Sequence, residues 1–220
     1  MAGGEQAQAS AVLIPAYNEA ERVADVVRVA QEADLGPVLV VDDGSRDNTA
    51  GAARAAGADV LRLPGNLGKG GAVAAGVREL DSQVVVLIDA DLVGLKAQHL
   101  RDLALPVIAG EVDMTRGVFK GGRWSTTAAQ KMLPQLNGQR AVRRELLMGL
   151  KDLQKSRYGI EVVITEAARS DHWRTRDIPM ADVSQVTKEE KRGFFKGVGH
   201  RIKMYSDIVR SIVRGGRDGR

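Results

Sequence analysis

The stretch VVVLIDADL, residues 84–92, places five apolar residues directly before two aspartates that a single alanine separates. An apolar run without polar alternation is typical of a strand that is buried on both faces of a parallel sheet. Asp89 and Asp91 are therefore expected at the end of this strand. Because buried carboxylates are costly without a positive partner, the pattern indicates a bound divalent cation.

The chain before this strand alternates between short apolar runs and helical patterns. The apolar runs occupy residues 11–14, 38–41 and 59–63, and the helical patterns follow at residues 23–31, 50–56 and 71–80. Such alternation predicts an α/β fold with a mostly parallel, doubly wound sheet flanked by helices. Ligands of these sheets bind beyond the carboxyl ends of the strands, so the turns after the apolar runs are the candidate sites.

The later elements are less regular. We expect strands at residues 113–119 and 173–178, helices at residues 99–108 and 140–150, a helix that follows residues 158–161 and runs to residue 168, and an exposed loop at residues 121–127. The simplest division is one main domain at residues 11–186. A flexible leader at residues 1–10 precedes it, and a basic amphipathic helix and tail at residues 187–220 follow it.

Composition bounds the class of protein. The chain has 220 residues, 44% hydrophobic and 27% charged, which is typical of one sizeable soluble core. It has no cysteine, which excludes disulfides, thiol catalysis and cysteine-bound zinc. No window approaches the ~18 apolar residues of a membrane span, and the N-terminus lacks the order of a signal peptide. A cytoplasmic location is therefore expected.

The positive charge is concentrated in the tail. Residues 187–220 hold ten Lys or Arg against four Asp or Glu, while the whole chain has a formal charge of +4. The apolar face of a helix at residues 193–213 can pack on the main domain or rest on anionic lipid, so peripheral membrane association is left open. Nucleic acid is not an expected partner, because the few aromatic residues form no evident stacking platform.

Five turns lie where the strand ends should gather. They belong to the motifs IPAYNE at residues 14–19, VVDDGSRDNT at 40–49, NLGKGGAVAAG at 66–76, IDADL at 88–92 and LNGQRAVRRELL at 136–147. The order of these motifs resembles the family 2 glycosyltransferases with the nucleotide-diphospho-sugar transferase (GT-A) fold. Within the family, the short chain is similar to polyprenyl-phosphate sugar transferases and glucosyl-3-phosphoglycerate synthases, although the latter are usually longer.

The resemblance implies an enzyme that moves a hexose from a UDP- or GDP-sugar to a phosphate-bearing or lipid-linked acceptor, with Mg²⁺ or Mn²⁺. Such a cation neutralises the charge that develops on the leaving diphosphate. By resemblance the catalytic residues are Asp91, Asp89 and Glu161. Asp91 is expected to bind the metal directly, and Asp89 to face the ribose or to support the metal through water. The expected nucleotide-sugar contacts are Pro15, Ala16, Tyr17, Glu19, Asp43, Lys69, Asp89 and Ala90, and the expected acceptor contacts are Gly138, Gln139 and Arg140.

Two of these expectations also have support from the residues themselves. In an extended segment, Asp89 and Asp91 would point to the same side with Ala90 between them. Lys69 stands between two glycines, so its backbone can approach a phosphate closely. One departure concerns the third metal ligand, because Gln185 occupies the place where similar enzymes offer a histidine. A glutamine oxygen can still bind a hard cation, and His172 is an alternative.

Several alternatives stay open at this point. Whether the anomeric centre is inverted or retained is not readable, and Asp113 and Glu161 are the carboxylates to test as a general base. A sugar-phosphate nucleotidyltransferase could share the fold, although IPAYNE lacks the glycine-rich basic loop expected there. A noncatalytic module that docks on membranes through its tail is a third hypothesis. A homodimer is a further arrangement that the sequence leaves open.

Overall fold

The computed structural model describes residues 8–120, 138–150, 153–154, 156 and 159–185. The strands are β1 (Gln8–Ala16), β2 (Val38–Asp42), β3 (Asp59–Arg62), β4 (Ser82–Leu87), β5 (Leu92–Val93), β6 (Met114–Lys120), β7 (Arg140–Arg143), β8 (Thr175–Ala181) and β9 (Ser184–Gln185). The helices are α1 (Val23–Ala33), α2 (Thr49–Ala55), α3 (Lys69–Glu79), α4 (Ala97–Ile108), α5 (Arg144–Gly149) and α6 (Ile160–Ser170).

Seven of these strands form one mixed sheet in the order β3-β2-β1-β4-β7-β6-β8. The strands β1 to β4 pair in parallel, and β6 pairs in parallel with β8. Strand β7 lies antiparallel to β4 on one side and to β6 on the other. The predicted α/β fold with a mostly parallel sheet is confirmed. The short strands β5 and β9 form a separate two-stranded sheet.

The central strands are apolar because helices cover both faces of the sheet. On one face, Val12, Ile14 and Val86 pack in a core with residues of α1 and α4. On the other face, Leu13 and Val85 pack in a second core with residues of α3 and α6. Burying a Val, Leu or Ile side chain contributes about 1.5–3 kcal/mol. The two cores therefore fix the parallel strands, and with them the edge where their carboxyl ends lie.

The helix predicted at residues 140–150 was wrong in its first part, which is strand β7. Ala141 and Val142 are fully buried and pair with Val86 and Val85 of β4. The local sequence is compatible with a helix, but the buried pairing against β4 outweighs that preference. The helix begins only at Arg144.

Some predictions lie partly or wholly outside the described residues. The exposed loop at residues 121–127 and the tail helix at residues 193–213 are among them. Strand β1 begins at Gln8, so the last three residues of the predicted leader belong to a strand. The division into leader, domain and tail stays a prediction. Among the described residues, no helix has both the length and the apolar character needed to cross a bilayer.

Candidate functional site

Residues from four separate motifs meet at one edge of the sheet. Pro15 lies near the end of β1, Lys69 begins α3, Asp89 follows β4, and Glu161 lies in the first turn of α6. Together with Gly138 and Arg140 they line one small pocket. This is the carboxyl edge of the parallel strands, where ligands of such sheets bind.

Lys69 joins two of the predicted catalytic carboxylates. Its Nζ lies 2.5 Å from Asp89 Oδ1 and 2.5 Å from Glu161 Oε1. The carboxylate side chains are 12% and 13% exposed, whereas Lys69 is 30% exposed. Burial lowers the pKa of Lys69, but the charges of Asp89 and Glu161 outweigh this effect and raise the pKa above its usual range. The ammonium group is therefore charged and sits between two carboxylates.

Two predicted acceptor residues instead contact Asp89. Gln139 is fully buried, and its Nε2 donates to Asp89 Oδ2 at 2.9 Å. Gly138 lies so close that a Cβ on it would be 2.6 Å from both Asp89 Oδ2 and Lys69 Nζ. Any larger residue at this position would have to displace the end of the Asp89 or Lys69 side chain. The acceptor roles of Gly138 and Gln139 stay predictions.

Arg140 is buried beneath the pocket rather than exposed to solvent. The residue is 0% exposed and pairs in register with Leu87 of β4. Its Nη1 lies 3.4 Å from the backbone oxygen of Glu161. Burial lowers the pKa of Arg140 to about 10, against the opposing effect of Glu161 and Asp89. The guanidinium therefore remains charged at neutral pH and faces the carboxylates from the protein interior. Its predicted contact with an acceptor stays a prediction.

Asp91 lies in a turn, not in the extended segment expected from the sequence. Strand β4 ends at Leu87, and Ala90 and Asp91 form a turn before β5. Burial raises the pKa of Asp91 to about 6, with further contributions from the charges of Asp89 and Glu19. Among the described residues, no side chain donates a hydrogen bond to the Asp91 carboxylate. The charge of Lys69 opposes the rise in the pKa of Asp91 but does not outweigh the effect of burial.

The residues fit a divalent cation that is shared with another ligand. Within the described part of the chain, no three Asp, Glu or His side chains converge to hold a metal by themselves. Asp89 and Asp91 nevertheless supply hard oxygen donors, and Mg²⁺ is commonly held by one or two carboxylates together with water and substrate phosphates. The Gln185 side chain is outside the described residues. His172 lies in an exposed turn with a φ of 55°.

The predicted nucleoside segment is fixed by hydrogen bonds to the loop after β2. Four backbone N–H groups join residues 18–20, which follow β1, to residues 45–49, which follow β2. The N–H of Asn18 donates to Ser45, that of Glu19 to Thr49, that of Ala20 to Asp47 and that of Arg46 to the side chain of Asn18. Asn18 and Thr49 were not predicted as positioning residues from the sequence, although both belong to the quoted motifs. Their cross-links hold Tyr17 and Glu19 at the end of β1.

Asp43 binds the glycine-rich turn before α3. Its side chain is buried, and its two oxygens accept hydrogen bonds from the backbone N–H groups of Leu67, at 2.7 Å, and Gly68, at 2.9 Å. The adjacent Gly44 has a φ of +70°, and a Cβ there would lie 2.8 Å from the Gly65 carbonyl carbon. Asp43 thus positions the turn that presents Lys69. Its predicted contact with a nucleotide remains untested.

The glycine after Lys69 has a structural reason that the sequence did not indicate. Gly70 N donates to Ser156 O at 3.1 Å, and a Cβ on Gly70 would lie 2.1 Å from that oxygen. Here the close approach is between two backbone segments of the protein. Because Gly70 has no Cβ, the backbone of Ser156 can pack directly against the start of α3.

Asp113 does not fit the role of a general base. It accepts three hydrogen bonds from Arg174, and Arg143 lies 3.4 Å away. The hydrogen bonds from Arg174 are the main reason that the pKa of Asp113 is lowered to about 2. So acidic a group has little tendency to take a proton at neutral pH. Of the two carboxylates left open by the sequence, Glu161 is the one in the pocket.

A second, wider cleft of about 400 Å³ borders the residues that follow Asp91. It is lined by Glu21, Arg22, Asp25, Val26, Val29, Leu92, Val93, Gly94 and Leu95. These residues come from the start of α1 and from the segment around β5. The cleft shares no lining residue with the narrow pocket.

A comparison with known protein families agrees with this geometry. Residues 11–168 match the family described as glycosyl transferase family 2, and the chain belongs to this family. The fold and family predicted from the five motifs are therefore confirmed.

Curated relatives include two with long matches. Glycosyltransferase AglD of Haloferax volcanii is 28% identical over 200 residues, which are 83% of this chain and 31% of that protein. Glucosyl-3-phosphoglycerate synthase of Mycobacterium tuberculosis is 29% identical over 189 residues, which are 69% of this chain and 58% of that protein. The chain therefore spans less than two thirds of the length of these relatives.

Solved structures of the Mycobacterium tuberculosis synthase have the same fold. Its complex with Mn²⁺, uridine diphosphate and glucosyl-3-phosphoglycerate superposes with a TM-score of 0.66 at 24% identity, covering 82% of this chain and 72% of the other. Its complex with phosphoglyceric acid gives a TM-score of 0.68 with the same identity and coverage. At this identity the likeness establishes the fold alone.

Proposed function

We propose that the protein is a metal-dependent glycosyltransferase that transfers a hexose from a UDP- or GDP-sugar to a phosphate-bearing acceptor, either soluble or lipid-linked. The observation that carries this proposal is the cluster of Lys69, Asp89 and Glu161 beside Asp91 at the carboxyl edge of the sheet. The solved synthase structures support the choice of ligands, since that enzyme binds Mn²⁺ or Mg²⁺ with uridine diphosphate and a phosphorylated acceptor.

The charged groups of the cluster suit the departure of a nucleoside diphosphate. In the proposed reaction, the acceptor oxygen bonds to the anomeric carbon, the bond from that carbon to the diphosphate breaks, and the acceptor hydroxyl loses its proton. Lys69 would hold the diphosphate, and Asp91 with Asp89 would hold the metal. A bound Mg²⁺ or Mn²⁺ would neutralise the charge that develops on the leaving group.

Glu161 is the proposed proton acceptor. It is the carboxylate of the pocket that comes from the second half of the chain, and its oxygen pairs with Lys69. If Lys69 turns towards a bound diphosphate, Glu161 becomes available to a hydroxyl group. A base in this position would suit inversion of the anomeric centre, and NMR of the product's anomeric proton measures the outcome. Full activity in Glu161→Gln would exclude this role.

The nature of the acceptor divides the proposal into two testable arms. Transfer to 3-phosphoglycerate or glycerol 3-phosphate would indicate a soluble acceptor. Transfer to a polyprenyl phosphate in vesicles would indicate a lipid-linked one, which is supported by the ten basic residues in residues 187–220. These residues would also hold the protein at an anionic membrane surface. Co-sedimentation with anionic and neutral vesicles measures this attachment.

A thermal-shift screen of nucleotides tests the central proposal. UDP, GDP and their hexose conjugates are each added with Mg²⁺, with Mn²⁺ and without metal, because a ligand that binds the native state raises its stability. We expect one nucleotide series to raise Tm only when metal is present. If no nucleotide raises Tm with either metal, and no sugar is transferred, the proposed function is wrong.

A further inference from the structure

The Asp89 carboxylate is already engaged on both oxygens by protein groups. Lys69 Nζ is 2.5 Å from Oδ1, and Gln139 Nε2 donates to Oδ2 at 2.9 Å. A divalent cation that binds without nucleotide would therefore have to compete with Lys69 for the Asp89 carboxylate. It would also be repelled by the positive charge of the ammonium group. Asp91 is the neighbouring carboxylate that the described side chains leave without a hydrogen-bond donor.

The position of Lys69 allows it to exchange partners. Its side chain is 30% exposed, more than that of either carboxylate it joins, and a lysine stem is flexible. Its backbone begins α3, at the end of the turn that Asp43 fixes. A diphosphate at this edge would offer the ammonium group a second set of anionic oxygens. Moving to them would release oxygens of Asp89 and Glu161 without moving the backbone.

We propose that Lys69 is an internal counter-ion that blocks Asp89 from binding a divalent cation until a nucleoside diphosphate draws the ammonium group away. Metal and nucleotide then bind cooperatively, and the metal binds weakly on its own. This extends the proposed function and rests on it. Because coupling between two ligands is reciprocal, UDP or GDP strengthens metal binding by the same factor as the metal strengthens nucleotide binding.

Removal of the lysine charge tests this directly. Lys69→Met keeps much of the side-chain length but leaves Asp89 and Glu161 without their shared cation. We expect the variant to bind Mn²⁺ alone at least about tenfold more tightly than the parent, since a competing cation is absent. The coupling between Mn²⁺ and nucleotide should fall, leaving only the part that comes from direct contact between the cation and the phosphates. Electron paramagnetic resonance of free Mn²⁺ measures the first quantity, and calorimetric titration of UDP and GDP with and without Mn²⁺ measures the second.

Two further variants separate the role of Lys69 from a general charge effect. Arg169→Met removes one positive charge from an exposed position of α6, where the residue pairs with Glu166. It should leave Mn²⁺ affinity unchanged. Lys69→Arg keeps the charge and should retain weak binding of Mn²⁺ alone. Circular dichroism and Tm show whether each variant is folded.

The outcomes are distinguishable from failure of the proposed function. If the parent binds neither nucleotide with metal, the proposed function itself fails. If the parent binds nucleotide and metal, but Lys69→Met binds Mn²⁺ alone no more tightly than the parent, the counter-ion role is wrong. An equal gain in Lys69→Arg or in Arg169→Met would also refute it. If Lys69→Met does not fold, the test rests on Lys69→Arg. Weak binding of Mn²⁺ alone, as in the parent, then supports the counter-ion role of Lys69, whereas a tenfold higher affinity for Mn²⁺ refutes it.

Discussion

Replacement of Asp43 by asparagine should destabilise the protein by loosening the glycine-rich turn. The Asp43 carboxylate is 3% exposed and accepts one hydrogen bond from Leu67 N and another from Gly68 N. An asparagine has one oxygen and one NH₂ group in place of the two oxygens. One of the two backbone N–H groups would therefore face a donor and lose its acceptor.

The size of the effect follows from the lost hydrogen bond. A hydrogen bond to a charged group contributes about 1.5–3 kcal/mol, and a buried donor left without a partner costs a similar amount. We therefore expect Asp43→Asn to lower the free energy of unfolding by about 2–3 kcal/mol. Asp43→Ala, which removes both acceptors, should lower it by about 4–5 kcal/mol. For a chain of this size, about 1 kcal/mol corresponds to a change in Tm of about 2–4 °C.

Urea unfolding followed by circular dichroism measures this change, with Asp25→Asn as the matched control. Asp25 has a side chain that is 77% exposed, so the same chemical change there should have little effect. UDP or GDP affinity is measured on the same samples. A misplaced turn should weaken nucleotide binding roughly in proportion to the loss of stability.

One result would refute the assignment of Asp43 to the turn. If Asp43→Asn has the parent free energy of unfolding but no longer binds nucleotide, the carboxylate contacts the nucleotide directly. That is the role predicted from the sequence resemblance. If Asp43→Asn is instead less stable, and if it binds nucleotide again at a lower temperature, the result supports the positioning role of Asp43.

Three further predictions concern other parts of the site and its support. Gly138→Ala should reduce turnover because its Cβ would displace the ends of the Asp89 and Lys69 side chains, and it should lower stability by about 1 kcal/mol at most. Normal turnover in this variant would contradict the observed packing. Asp91→Asn should keep its far-ultraviolet spectrum and lose metal-dependent transfer, so that full transfer in this variant would exclude metal binding by Asp91. Because the pKa of Asp113 is lowered from 3.8 to about 2, its ionised form stabilises the fold above about pH 4, and this contribution is lost as the pH falls through about 2. Asp113→Asn should therefore be about 1 kcal/mol less stable than the parent at neutral pH, and this difference in the free energy of unfolding should disappear near pH 2. Urea unfolding at several pH values measures the difference. If it does not depend on pH, Arg174 does not act through charge.

The sheet was largely predictable because its strands carry their own signal. Uninterrupted Val and Leu runs identify the parallel strands, and the rule that ligands gather at their carboxyl ends brought Lys69 and Asp89 to one edge. Strand β7 was not predictable in this way. Its sequence suits a helix, and its burial against β4 becomes visible only in the folded chain.

The roles of the polar residues were less predictable because their partners are distant in sequence. Lys69 and Glu161 are 92 residues apart, Gln139 and Asp89 are 50 apart, and Asp43 and Gly68 are 25 apart. A motif predicts that such residues share a site, but it does not predict which of them faces the ligand and which supports a neighbour. The burial of Gln139 and the two backbone contacts of Asp43 supply that distinction.

The antiparallel direction of β7 has a consequence for the register of the site. The site residues of the parallel strands follow the end of each strand, whereas Gly138 and Gln139 precede the first residue of β7. Because Arg140 pairs with Leu87 of β4, Gly138 and Gln139 lie beside the residues that follow β4, and Gln139 donates to Asp89 Oδ2. A slip of β7 by one residue along β4 would therefore move the glycine and the amide away from Asp89 together.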